Sequence, residues 1–295
     1  MAWRGLHLTR PSRLSYADGQ IVVAQDDGEV RLALEDLAWI VLDTPQSTLS
    51  GSLLSACMSA GIALIATDEK HTPSGVVLPF HRHFRQGEIA HRQVEMGAPL
   101  KKRLWQRIVR RKIENQAAVL GACSREGADM LRKMAALVGS GDPDNVEARA
   151  ARHYWSHLWP DFRREDEGDR RNMLLNYGYA VARAGVARSL VAAGLLPAFG
   201  VNHASVTNAF NLADDVLEPF RPFVDRLAWD TVGDGRPCRE ALSVEDRRAM
   251  AGVLLAEATI AAETTTLLVA AEKAAESLAR AIELALPDAL ELPRP

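Results

Sequence analysis

"PLKKRLWQRIVRRKIENQAAVLGAC", residues 99–123, is where the sequence changes period. Leu104, Ile108 and Val109, then Ile113, Ala117 and Leu120, share one stripe at helical spacing, with bases opposite and Pro99 suited to the first turn. Nothing upstream has this texture. "GQIVVAQDDGEVRLAL" (19–34) is two β-branched runs around Asp27-Gly28, a hairpin signal. "WIVLD" (39–43) and "IALIATD" (62–68) have the length of buried strands, and "GVVLPF" (75–80) adds another before Pro79 stops it. Between them, "STLSGSLLSACMSAG" (47–61) predicts a short helix with Ser or Thr as N-cap and Gly61 as terminator.

Downstream, the helical period persists. "NVEARAARHYWSHLW" (145–159) and "NMLLNYGYAVARAGVARSLVAAGLL" (172–196) flank the charged loop "PDFRREDEGDRR". "SVED" (243–246) starts another helix with a capping-box pattern, and "TTTLLVAAEKAAESLARAIELAL" (264–286) predicts a last one. The tail "PDALELPRP" is expected to fray. Strands followed by helices give an α+β chain: a small N-terminal β-rich domain over 1–79, then a larger all-helical domain over 80–295.

Composition narrows the function. The 295 residues are 47% hydrophobic and 25% charged, ordinary for a globular protein, and no apolar run is long enough to span a bilayer. The opening lacks the order of a signal peptide, and Cys57, Cys123 and Cys238 form no CxxC pair, which fits a reducing cytoplasm. The net charge of −3 is uneven. Residues 80–112 carry ten Lys or Arg against Glu88 and Glu95, a local +8 that leaves −11 elsewhere and points to a polyanionic partner.

The chemistry concentrates in "GVNHASVTNAFNLADDVLEPFRPFVDRL" (200–227). Asp214 and Asp215 both neighbour Glu218 at helical spacing, so a Lys or Arg, a proton or a metal should sit among them. Unrelieved repulsion predicts that removing Glu218 from the metal-free chain leaves stability unchanged or raised. The bland alternative is a solvated face with Arg221 or Arg226 nearby. His203 joins the acids only if the chain reverses, and Gly200 as helix end with Ser205, Thr207 and Asn208 as caps predicts such a reversal. Glu147 is the one acid on an Ala-, Tyr- and Trp-rich helix, a third ligand or simply an N-terminal charge. Motifs for a serine hydrolase, a zinc protease, a P-loop or a dinucleotide fold are absent.

"VEARAARHYW", "NMLLNYGYAVARAGVARSLVAAGLLPAFGVNH" and "AFNLADDVLEPFRPFVDR", in that order, resemble the CRISPR-adaptation integrase, the first-numbered Cas protein, in its type II branch. "MAWRGLHLT" and "KIENQAAVL" fit the same branch, and the resemblance covers nearly the whole chain. It implies a helical catalytic domain behind a β-domain that serves dimerisation and partner contact. It also implies a metal site of Glu147, His203 and Glu218, with Asp215 as a further acid whose part is open. Two carboxylates and an imidazole suit Mn²⁺ and are acceptable to Mg²⁺. The implied reaction joins a DNA 3′-hydroxyl to a phosphodiester at a CRISPR repeat boundary. The implied partners are double-stranded and branched DNA, a second copy of the chain, and the small second-numbered Cas protein. Lys101, Lys102, Arg103, Arg107, Arg110 and Arg111 become candidate phosphate contacts, with a solvated or interface face as the alternative, while Lys112 can point toward the cleft. Competing functions are a metal phosphohydrolase acting on small phosphate esters and a non-catalytic DNA-binding scaffold.

Overall fold

The computed structural model describes residues 4–80, 82–235 and 239–295; Met1–Trp3 of the quoted opening and Cys238 lie outside the described residues. The chain divides into two compact units, Met1–Arg82 and His83–Pro295. The first is β-rich: β1 (Arg4–Leu8), β2 (Arg13–Ala17), β3 (Gln20–Gln25), β4 (Gly28–Ala33), β5 (Leu37–Leu42), β6 (Thr48–Leu49), α1 (Gly51–Ala60), β7 (Ala63–Thr67) and β8 (Pro73–Val77). Among the described residues these form two four-stranded sheets, ordered β1-β5-β7-β8 and β4-β3-β2-β6. β1, β5 and β7 run parallel, and β5 is buried over Leu37–Val41, so the segment reads as continuous apolar sequence rather than alternation. Helix α1 closes the core with Leu53 and Cys57 against Leu14, Ile21 and Ile40. Ser50 caps α1 through the Leu53 N–H, and Gly61, at φ 73°, ends it as expected. In the β3–β4 hairpin Gln25 pairs with Gly28, so the two-residue turn is Asp26-Asp27, one position before the predicted centre.

The second unit holds α2 (Gln86–Val94), α3 (Ala98–Ala122), α4 (Ala128–Leu137), α5 (Val146–Leu158), α6 (Arg170–Ala192), α7 (Asn211–Leu217), α8 (Arg221–Val232) and α9 (Val244–Ala251), then strands β9 (Glu257–Ile260) and β10 (Glu263–Thr266) and α10 (Leu267–Glu283). Helix α6 is buried almost all round and forms the axis on which α7, α8, α9 and α10 pack. Its Gly178 and Gly185 permit that approach, since a Cβ there would lie 2.5 Å from Val224 and Met250 and 2.6 Å from Leu254. Ser243 and Asp246 form the predicted capping box at α9.

Two expectations for this unit change. It is mainly but not wholly helical: β9 and β10 pair antiparallel, and Thr264–Thr266, read as helix, are strand. The turn uses Ala261 and Ala262 at φ 50° and 64°, a left-handed conformation that costs an alanine about 1–2 kcal/mol. The tail does not fray. Leu290 and Leu292 are buried, Thr259 and Arg294 exchange backbone hydrogen bonds of 2.7 and 2.9 Å, and Asn115 donates to the Pro293 carbonyl at 3.0 Å.

Candidate active site

Helix α6 ends at Ala192, and Gly194 at φ 81° turns the chain, so Gly200 is not the helix terminator. Gly200 serves the reversal differently. A Cβ at that position would lie 2.3 Å from the His203 carbonyl oxygen and 2.6 Å from Asp215 Oδ2. Only a glycine lets the loop pass this close to the carboxylate.

Asp215 organises the loop. It is fully buried, and its Oδ2 accepts the N–H groups of Val201 and Asn202 at 2.6 and 3.0 Å. Its Oδ1 accepts the His203 N–H at 3.1 Å and lies 2.7 Å from the same residue's Nδ1. A carboxylate is acceptor-only, so this geometry places the proton on Nδ1 and leaves Nε2 as the unprotonated ring nitrogen of the neutral imidazole. The hydrogen bond to Asp215 raises the His203 pKa above the usual imidazole range, burial opposes it, and the charges of Asp215, Glu218 and Asp214 add to the rise. Trp105, a core residue as expected, meets the ring edge-on at 5.8 Å between centroids.

Asp214, one residue earlier, points elsewhere. Arg183 of α6 grips both its oxygens at 2.6 and 2.9 Å, Asn208 donates to it at 2.7 Å, and the guanidinium stacks over Phe210. Asn208 accepts the Phe210 N–H, whereas Ser205 and Thr207 cap nothing and hydrogen bond to each other. Asn211 donates to the carbonyls of Ala198, Ser205 and Asn208, and Gln93 of α2 donates to those of Leu196 and Phe199. Sequence reading passed over Gln93, Arg183 and Asn211. Only the i,i+4 spacing of Asn211 and Asp215 hinted that both serve one loop.

The remaining carboxylates meet on a lysine. Glu147 lies in the first turn of α5, where Asp142 accepts the N–H groups of Val146 and Glu147 and fixes the helix start. Glu218 opens a 3₁₀ turn, Glu218–Phe220, between α7 and α8. Lys112 of α3 reaches both: its Nζ donates to Glu147 Oε1 at 2.6 Å and pairs with Glu218 Oε2. Arg221 donates to Glu218 Oε1 at 3.0 Å and stacks on the Tyr179 ring. Asn115, one turn along α3 from Lys112, donates to the Pro219 carbonyl at 2.8 Å and steadies the Glu218 turn. Burial works against the charge on Glu218, yet Lys112 and Arg221 hold its pKa below the ordinary value. Burial likewise opposes the Lys112 ammonium, and Glu218 and Glu147 more than offset it. The expected positive charge between the acids is therefore present, and removal of Glu218 would leave Lys112 and Arg221 facing each other. The expectation of relieved strain is reversed.

Glu147 and Glu218 thus converge, His203 feels the charge of Glu218, and Asp215 stands behind the histidine. Among the described residues no three His, Cys, Asp or Glu side chains form a metal-ready group, and the Lys112 ammonium lies between Glu147 and Glu218. The donor chemistry nevertheless fits a hard or borderline divalent cation. Glu218 Oε2 is buried against the Lys112 ammonium, so an acceptor that already faces a cation stands where a divalent ion would bind.

The candidate DNA contacts lie on other faces of α3. Arg107 binds Asp288 at 2.6 Å and the Leu290 carbonyl, Arg110 the Ala135 carbonyl, and Arg111 Glu114 at 2.8 Å. Lys101, Lys102 and Arg103 occupy its first turns, with the Lys102 stem against Gly141.

The profile of the family described as CRISPR associated protein Cas1 matches residues 6–264. The chain belongs to this family. It is 40% identical over 237 residues, 80% of this chain and 78% of the relative, to the CRISPR-associated endonuclease Cas1 of Neisseria meningitidis serogroup C (strain 8013). Cas1 architecture also appears in the structural comparison. A casposase bound to integration product shares the fold at TM-score 0.75 and 16% identity, covering 97% of this chain and 91% of that one. A chain of a Cas6-RT-Cas1–Cas2 complex matches at TM-score 0.73 and 19% identity, over 97% of this chain but only 36% of that longer one. No helix among the described residues is long and apolar enough to cross a membrane.

Proposed function

We propose that this Cas1-family protein is a metal-dependent DNA endonuclease and integrase that inserts spacer DNA into a CRISPR array. The observation that carries the reading is the convergence of Glu147 and Glu218 on one cation beside a histidine oriented by a buried aspartate. The name of the 40% identical relative supports nuclease chemistry. Glu147, Glu218 and His203 would hold Mg²⁺ or Mn²⁺, which when bound stabilises charge on the phosphoryl oxygens and lowers the pKa of the attacking hydroxyl. The chain's own groups supply the rest. Asp215 keeps the imidazole in one tautomer, and Arg183, Asn208 and Asn211 hold its loop without calling on the metal. Lys112 balances the acids before an ion enters. In the transfer, a DNA 3′-oxygen forms a bond to phosphorus as the repeat strand's own 3′-oxygen leaves, so the phosphodiester count is conserved.

The N-terminal unit is assigned to dimerisation and to contact with a Cas2 protein. The description of the Cas6-RT-Cas1–Cas2 complex supports that partner. The cytoplasm is the compartment this reaction requires. A strand-transfer assay tests the function, using a branched or repeat-bearing duplex with Mn²⁺ and the neighbouring Cas2 protein. Wild type should join a labelled 3′-hydroxyl end to the repeat, and Glu147→Gln, His203→Ala and Glu218→Gln should not. Joining by these variants, or turnover of a small phosphate ester in place of DNA, overturns it.

A further inference from the structure

A cleft of about 550 Å³ lies between α3, the β9–β10 turn and the C-terminal segment. Five arginines line it, Arg103, Arg107, Arg110, Arg111 and Arg294, against Glu114, Asp288 and Glu291. The balance is two positive charges in excess. One of the three acids, Glu291, is shared with Arg280 outside the cleft. The arginines are not fully satisfied by the protein. Among the described residues, Nε of Arg107 and Nε of Arg111 are buried donors without a hydrogen-bond partner, a costly condition in a native fold. Burial lowers the Arg111 pKa, Glu114 opposes the shift, and Arg294 and Arg107 add to it. These cations repel one another as the cleft stands.

The opposite wall is the β9–β10 turn, a two-residue hairpin loop in which Ala261 and Ala262 take the positive φ that such a turn requires. The tail, pinned by the Thr259–Arg294 backbone pair, brings Arg294 to the same place.

We propose that this cleft binds a phosphate monoester dianion. Its volume is that of a nucleotide-sized group. Its excess of two charges matches a terminal phosphate better than the single charge of a backbone diester, and planar guanidinium groups suit phosphate oxygens. The phosphate comes from the end of a DNA strand, which rests on the function proposed above, or from a small phosphorylated molecule.

The test compares a labelled 5′-phosphorylated hexanucleotide with its 5′-hydroxyl form by fluorescence anisotropy, with inorganic phosphate as competitor. Wild type should bind the phosphorylated form at least about tenfold tighter, the worth of one good charged hydrogen bond. The preference should vanish in Arg107→Gln/Arg111→Gln and shrink in the exposed, fold-neutral Arg103→Gln, while Glu147→Gln keeps it. Competition by inorganic phosphate at the oligonucleotide's own Kd assigns the site to small phosphates, and much weaker competition assigns it to strand ends. Equal affinity for the two oligonucleotides in wild type, or a preference that survives the double substitution, overturns the proposal. Absence of strand transfer by the wild-type protein, with the preference intact, would instead sink the integrase reading.

Discussion

Lys112→Met isolates the charge that holds the two acids together. Methionine keeps the length and apolar stem of lysine and removes the ammonium. The side chains of Lys112, Glu147 and Glu218 are 12%, 25% and 7% exposed, so the three charges interact largely out of water. Breaking a buried pair costs about 3–5 kcal/mol. Arg221 stays on Glu218 and Glu147 is partly solvated, which places the loss near the lower bound, about 3 kcal/mol. For a unit of this size that lowers the melting temperature by roughly 6–12 °C. Thermal melts near neutral pH, with and without roughly millimolar Mn²⁺, read the effect. Metal should restore most of the loss and shift the variant more than wild type, because no ammonium competes with it.

Acid should narrow the gap as well. The Glu218 pKa is lowered in the folded protein, so its stabilisation is present above the unfolded value and lost as pH falls through the folded one. The variant loses the Lys112 share of that contribution and keeps only that of Arg221, so the two proteins converge on acidification. A variant melting within about 2 °C of wild type, less than one kcal/mol predicts, refutes the reasoning, as does an equal Mn²⁺ shift in both proteins.

Gly200→Ala should displace the histidine loop and lower strand transfer by about a hundredfold, the scale of a one-ångström misplacement, with folding retained; activity within a few-fold of wild type counts against it. The His203 pKa, followed by its ring-proton NMR signal, should lie above the imidazole reference of about 6.5. The stability of its pair with Asp215 is then full below that reference and lost as pH rises through the folded value, while the acid limb of activity moves up; a measured value at or below the reference removes the argument. Burial raises the Asp225 pKa to about 6, against the hydrogen bond from Tyr179, so the folded state holds more protons than the unfolded one between about pH 4 and 6 and loses stability as pH rises there. Asp225→Asn should therefore gain roughly 2–3 kcal/mol on wild type between acid and neutral pH, and a pH-independent difference in chemical denaturation contradicts this.

The parts of the fold that announced themselves were those with a local cause. Runs such as Trp39–Leu42 are apolar because both faces of β5 are covered, and Ser50, Gly61 and Ser243 act through their own backbone geometry. The β9–β10 hairpin did not announce itself. Its turn is built from two alanines, good helix formers, held left-handed by what surrounds them, so neither propensity nor turn chemistry marks it. The tail looked frayed because Pro and Asp dominate its ends, while its anchors, Leu290 and Leu292, find their partners far away in sequence. At the site, residue types were legible and partnerships were not. Asp214 and Asp215 are equivalent in sequence, yet successive helical positions differ by about 100°, which sends one to Arg183 and the other to His203. Repulsion was the natural reading of Glu218 until Lys112, more than a hundred residues away, supplied the missing charge.

The pairing of the acids also separates what is fixed from what exchanges. Asp214 is held by a bidentate arginine, Asp215 by backbone donors and an imidazole, and Asp225 by the Tyr179 hydroxyl. Each of these partners belongs to the fold and stays whether or not an ion is present. Glu147 and Glu218 differ, because they share a single ammonium on a flexible four-carbon stem. On the metal-dependent reading proposed above, a divalent cation entering there would replace one positive charge with two by displacing the Lys112 ammonium, while Arg221 could stay on Glu218 and the histidine loop would keep every hydrogen bond it had. The imidazole would then be ordered in advance and the change on binding centred on one side chain, as electrostatic preorganisation requires.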